Sequence, residues 1–108
     1  MISEMRFFEE TTETGMSKTM INTKGGILTI QATGTANTFE FMVLGCVDLE
    51  NNAFVPIEGI NVSDFSLAET VKGNGIYEYD ISGMRQLKVN ISSISGGDLT
   101  VMGISKEG

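Results

Sequence analysis

The sequence predicts an all-β chain: an antiparallel two-sheet sandwich, jelly-roll-like, of about eight strands. Three observations carry that expectation. Apolar and polar residues alternate over short stretches, the period of a half-buried strand. Turn-forming residues break the chain at intervals of roughly 8–12 residues, the spacing of sandwiches and barrels. No segment sustains helical periodicity, and 13 glycines stand against one proline, which suits many tight turns.

Arg6-Phe7-Phe8-Glu9 reads either as a short strand or as an apolar hook for a neighbouring subunit. Glu9 to Lys18, rich in Thr, Glu and Gly, reads as a solvated arm or long loop. Residues 1–17, an arm or a first strand plus loop, are thereby set apart from a single sandwich domain over 18–108. Lys18 to Lys24 reads as a strand, with Gly25-Gly26 as a turn. Ile27 to Thr33 alternates, placing Leu28, Ile30 and Ala32 on one face, and Gly34 to Asn37 supplies turn chemistry.

Thr38 to Val47 is the most apolar stretch, with Phe39, Phe41, Val43 and Val47 on one side and Met42, Leu44 and Cys46 on the other. Two apolar faces suit a central strand of a covered sheet, and Gly45 within it marks a bulge. Pro56 removes a ladder donor, so Ala53 to Glu58 is an edge strand or a strand end. Gly59 to Asp64 turns the chain, and Phe65 to Val71 alternates with Phe65 and Leu67 on one face, with a short helix as the less favoured alternative given the flanking alternation.

The last third patterns most clearly. Lys72 to Gly75 is a turn, and Ile76 to Ile81 places Tyr77, Tyr79 and Ile81 together. Ser82-Gly83-Met84 turns again, and Leu87, Val89 and Ile91 then alternate with Lys88, Asn90 and Ser92. Gly96-Gly97 closes a hairpin into Asp98 to Ile104.

Charge narrows the function classes. Fourteen acidic residues against seven basic give a net charge of −7 with no basic run, the nearest approach being Arg85 and Lys88. Phosphate neutralisation needs clustered Lys and Arg, so neither nucleic acid nor an anionic membrane is an expected partner. Cys46 is the single cysteine, excluding an intrachain disulfide, and its apolar neighbours mark it as a small core hydrophobe. Met1 to Glu10 has acidic residues and no long apolar run, unlike a secretion signal. No stretch reaches the apolar length of a membrane-spanning helix.

The sequence is poor in reactive side chains. It has no histidine and no tryptophan, which leaves no Ser-His-Asp or Cys-His arrangement and no imidazole ligand for zinc. Glu78 and Asp80 could form a glycosidase-like carboxylate pair, but their alternation with Tyr77, Tyr79 and Ile81 reads as a solvent-facing side. Asp48, Glu50, Asn51 and Asn52 gather oxygen ligands without an EF-hand pattern, and read as a polar turn. Gly73-Asn74-Gly75 lacks the Lys-Ser or Lys-Thr of a phosphate loop. Asn61-Val62-Ser63 and Asn90-Ile91-Ser92 match the glycosylation pattern by chance. The expectation is no catalytic residue, no metal and no cofactor.

Thr38 to Gly103 resembles a β-sandwich module of bacteriophage virion proteins, found in head-decoration, head-fibre and tail or baseplate accessory proteins. The resemblance lies in Leu44-Gly45-Cys46-Val47-Asp48, Ala53-Phe54-Val55-Pro56-Ile57, the run from Gly75 to Met84, Leu87 to Ser92, and Gly96 to Gly103. Phe54 stands where such modules are expected to carry tryptophan.

The resemblance implies a non-enzymatic role: self-association, with a trimer favoured by threefold lattice positions, and docking on other virion proteins. It also implies residence in the virion after synthesis in the bacterial host cytoplasm. Met5, Phe7, Phe8, Met16 and Met84 are the candidate partner contacts. The alternatives are that Phe7 and Phe8 complete the module's own core and that Met16 and Met84 cap the ends of the sandwich. The competing reading is a carbohydrate-binding or adhesion module for a cell-surface glycan, with Tyr77 and Tyr79 as its aromatic platform.

Overall fold

A computed structural model describes residues 2–23, 25–50 and 53–107. Twelve strands follow in chain order: β1 (Ile2–Thr11), β2 (Gly15–Met16), β3 (Met20–Ile21), β4 (Gly25–Thr33), β5 (Thr38–Cys46), β6 (Val55–Ile57), β7 (Gly59–Asn61), β8 (Leu67–Ala68), β9 (Thr70–Val71), β10 (Gly75–Asp80), β11 (Gln86–Ser95) and β12 (Leu99–Glu107). The described residues contain no helix. One sheet runs β1-β12-β4-β10-β7-β8; the other runs β2-β11-β5-β6, with β3 also on β11 and β9 also on β5. All pairings are antiparallel, and the two-sheet all-β class expected from the sequence is what forms.

The long strands follow their side-chain alternation. Leu28, Ile30 and Ala32 of β4, Tyr77 and Tyr79 of β10 and Val101 of β12 are buried from the first sheet. Phe41 and Val43 of β5 meet them from the second, with Leu87, Val89 and Ile91 of β11. Phe39 and Phe41 stack, ring centroids 5.9 Å apart. Cys46 is buried as a core residue should be. Pro56 lies in β6 at the rim of its sheet, the edge position expected of a proline within a strand.

Several expectations are corrected. The strand count exceeds eight because six segments are only two or three residues long, too short to show alternation. Gly25-Gly26 does not turn; it opens β4, and the Asn22 amide supplies the turn chemistry beside it, accepting from Gly25 N at 2.7 Å. Gly45 is in register with Leu87, with the Met84 sulfur packed above it. The β5–β11 bulge falls instead between Ile91 and Ser93. Val47, assigned to a buried side, is 72 % exposed because β5 ends at Cys46.

The largest correction is topological. Gly96-Gly97 is not a hairpin, because β11 and β12 belong to different sheets. The connection crosses the sandwich beside Gly34 to Asn37, which carries β4 over to β5. Since β4 pairs β12 and β5 pairs β11, the two connections bend one two-stranded ribbon over the core. A Cβ at Gly97 would lie 2.6 Å from the Thr35 carbonyl, so the corners touch backbone to backbone.

Around the N-terminus, β1 extends through the Phe7-Phe8 pair to Thr11 along β12, and Gly15–Met16 adds two residues to the second sheet. The β1 register slips between Arg6 and Phe8 and again before Thr11, where Glu10 has φ 48°. Such irregularities blunt an edge strand against unwanted pairing.

Candidate interaction surface

The structure disperses the residues that the sequence singled out as contacts. Phe7 is buried in the chain's own core over Gly103, and Met5 and Phe8 are half-buried against the same core. Met84 packs there too, while Met16 on the β2 edge is 54 % exposed. No single patch gathers the five.

The aromatic platform is corrected outright. Tyr77 and Tyr79 are 4 % and 1 % exposed, on the inward face of β10, so neither ring is available to stack on a sugar. Their grouping with Ile81 was legible; the grouping marks the core side. Tyr77 Oη donates to Gly73 O at 2.9 Å, and burial, with the Asp64 charge second, raises its pKa. Burial also raises Tyr79, more strongly, and its hydroxyl has no hydrogen-bond partner among the described residues.

Glu78 and Asp80 lie on the outer side of the first sheet and are exposed. Asp80 Oδ1 accepts from Ser82 N at 3.0 Å, and these Ser82 bonds hold its carboxyl below the ordinary range, the opposite of what a general acid needs. Among the described residues no group of three His, Cys, Asp or Glu side chains is placed to hold a metal. Of the oxygen cluster, Asp48 Oδ1 accepts from Glu50 N at 2.8 Å, while Asn51 and Asn52 lie outside the described residues. Lys88 sits 4.1 Å from the centre of the Phe54 ring, a cation–π contact at the position where tryptophan was expected.

What the structure does gather is apolar surface. Register places Ile104, Thr29, Glu78, Ile60 and Leu67 in one row across the first sheet, and Arg6, Met102, Gln31 and Ile76 in the next. Ile60, Ile76 and Ile104 are 41 %, 43 % and 39 % exposed, and Leu67 at the β8 rim is 66 % exposed. Between the rows lies a groove of about 180 Å³ lined by Thr29, Gln31, Ile76, Met102 and Ile104.

The β7–β8 connection adds a projecting tip. Asn61 Oδ1 accepts from the N–H and Oγ of Ser63 at 3.0 and 2.8 Å, and Asp64 Oδ1 accepts from those of Ser66 at 3.0 and 2.7 Å. Phe65 N donates to Asn61 O at 2.7 Å. These bonds hold Phe65 at φ 60°, an unusual backbone for a bulky residue, with 80 % of its surface exposed. The alternation puts Phe65 and Leu67 on one face of a strand, whereas Phe65 lies on the loop before β8. The paired Asn-x-Ser and Asp-x-Ser spacing, which builds successive side-chain-capped turns, was the signal for the loop. The same bonds account for the Asn61-Val62-Ser63 sequence without glycosylation.

An antiparallel two-sheet sandwich without helix among the described residues, with exposed carboxylates and a projecting apolar loop, defines a small β-sandwich domain. Within that class the chain belongs to the XepA family, whose model matches residues 2–105. The SPBc2 prophage-derived protein YomS has the same fold: 23 % identity, TM-score 0.87, covering 96 % of this chain and 91 % of YomS. The PBSX exported protein XepA is similar at 24 % identity and TM-score 0.90 over 97 % of this chain. The chain spans only 37 % of that longer protein. No curated protein matches. The family and both neighbours bear out the resemblance to phage-derived β modules.

Proposed function

We propose that the chain is a non-enzymatic phage structural protein that self-associates and docks on a larger phage assembly. The carrying observation is that Ile60, Leu67, Ile76 and Ile104 on the outer side of the first sheet and Phe65 on the adjoining loop are exposed apolar side chains. Large exposed apolar patches mark interaction sites in soluble domains. Family membership supports the phage setting, and the export named for the PBSX protein is compatible with a product that leaves the host cytoplasm with the particle.

Light scattering after size exclusion, at several concentrations, tests self-association: a mass of several copies supports it, and one copy throughout removes it. Antibody labelling of gradient-purified phage particles tests docking. Signal that stays with the soluble fraction and never bands with particles would refute the virion role.

A further inference from the structure

The Phe65 loop and the groove between Ile76, Met102 and Ile104 form a knob and a socket on the same chain, and neither is filled within it. We propose that the knob of one copy seats in the socket of a second copy. This rests on the self-association reading and deepens it by naming the contact.

Three observations point to a second copy. The first is preorganisation. Phe65 carries a strained φ of 60° and 80 % exposure, both held by the Asn61 and Asp64 turns. A rigid exposed aromatic loses little freedom on binding and is the residue type that dominates interfaces. Backbone strain kept by dedicated hydrogen bonds is a mark of a working segment.

The second is fit. The groove of about 180 Å³ is lined by Ile76, Met102 and Ile104 with Thr29 and Gln31, and a cavity of about 150 Å³ is enough to take a benzene ring. Val62 and Leu67, 39 % and 66 % exposed, flank the knob and would cover the apolar rows around the socket.

The third is charge. Asp64, beside Phe65, is kept below the ordinary carboxylate range by the Ser66 side chain and backbone, so it is anionic. Arg6 stands across from Met102 at the rim of the socket, and its only ion pair among the described residues is a loose one with Glu9 at 3.6 Å. Glu4 stands across from Ile104 at another corner. The loop therefore enters with Asp64 on the Arg6 side. The same acidic flank disfavours insertion into an anionic lipid surface.

A knob that meets a different surface of its neighbour either exchanges reciprocally about a two-fold axis or repeats head to tail, closing into a ring or propagating. That yields a sharp test by light scattering on the full chain. Phe65→Asn removes the knob while keeping a residue that tolerates positive φ; Ile76→Lys blocks the socket, and Met102→Lys serves if Ile76→Lys loses its β-sheet circular dichroism. Each variant alone is expected at the mass of one copy. Mixed in equal amounts, they are expected to form a two-copy species, because each supplies the half the other lacks.

A Phe65→Asn protein with the wild-type multimeric mass would overturn the knob-and-socket contact while leaving self-association standing. A mixture that stays at one copy would overturn it as well. A wild-type protein at one copy at every concentration would overturn both readings.

Discussion

Thr35 and Asp98 clasp each other across the two sheet-crossing corners. Thr35 N and Oγ1 each donate to Asp98 Oδ1 at 3.2 Å, and Asp98 N returns a bond to Thr35 Oγ1 at 3.1 Å. Ala36 N to Asp98 O and Asn37 N to Ser95 O continue the same seam. The clasp sits where the β4–β12 pair bends over into the β5–β11 pair, so it fastens the ribbon on which both sheets are built.

Asp98→Ala should therefore destabilise the fold although the site is exposed. Net hydrogen-bond contributions near water are modest, and the expected loss is about 1 kcal/mol. A loss of that size lowers the melting temperature of a domain this small by about 4–8 °C. Urea unfolding should show a lower midpoint at unchanged slope; a variant with the wild-type midpoint would show that the seam does not depend on this carboxylate.

That corner also shows how far the sequence could be read. Period-two alternation identifies which residues of a strand point together, and it sorted Leu28, Ile30 and Ala32, or Leu87, Val89 and Ile91, without error. It does not say which sheet a strand joins. Gly96-Gly97 has the composition of a hairpin, and only the pairing of β11 with β5 and β12 with β4 turns it into a crossover. The sign of a face is equally ambiguous. Tyr77 and Tyr79 share one side of β10, but nothing local tells a buried tyrosine row from a binding platform. Strands such as β8 and β9, two residues each, are set by tertiary pairing and leave no period to detect.

Asn22 is a second fastening point, and a buried one. Its Nδ2 donates to Gly25 O at 3.0 Å, Met84 O at 2.9 Å and, more weakly, Ile81 O at 3.4 Å. Its Oδ1 accepts from Gly25 N at 2.7 Å. One side chain thus ties the β3–β4 connection to the β10–β11 connection. Asn22→Ala strands several backbone groups at a buried site, with an expected cost of about 2–3 kcal/mol in chemical denaturation. A cost within experimental error of zero would mean that water takes over these partners.

Tyr79 offers the opposite sign. Its ring covers Gly59, where a Cβ would come within 2.5 Å of Cε2, and its hydroxyl is buried without a partner among the described residues. An orphaned buried hydroxyl costs the desolvation of a polar group with nothing returned. Tyr79→Phe keeps the ring and removes that penalty, so the variant should be more stable by about 1 kcal/mol. Lower stability on thermal unfolding would show that the hydroxyl has a partner after all.

The Phe65 loop ties stability to acid. The Ser66 side chain and then its backbone N–H bind the Asp64 carboxylate and favour its charged form, so the folded pKa lies below the ordinary value. For a depressed carboxylate the contribution is fully present above the unfolded pKa, about 3.9. It is lost as pH falls through the folded value, because protonation removes the acceptor. The loop should therefore hold its shape at neutral pH and loosen only in strong acid. Carboxyl-carbon NMR titration should place Asp64 below an unperturbed aspartate, and Ser66→Ala should move it back up by removing the larger cause. In the same variant, amide exchange at Phe65 should quicken, since the turn that holds its φ has lost a bond. An Asp64 midpoint unmoved by Ser66→Ala would mean that the two serine turns do not set the loop, and the rigidity of the Phe65 tip would need another source.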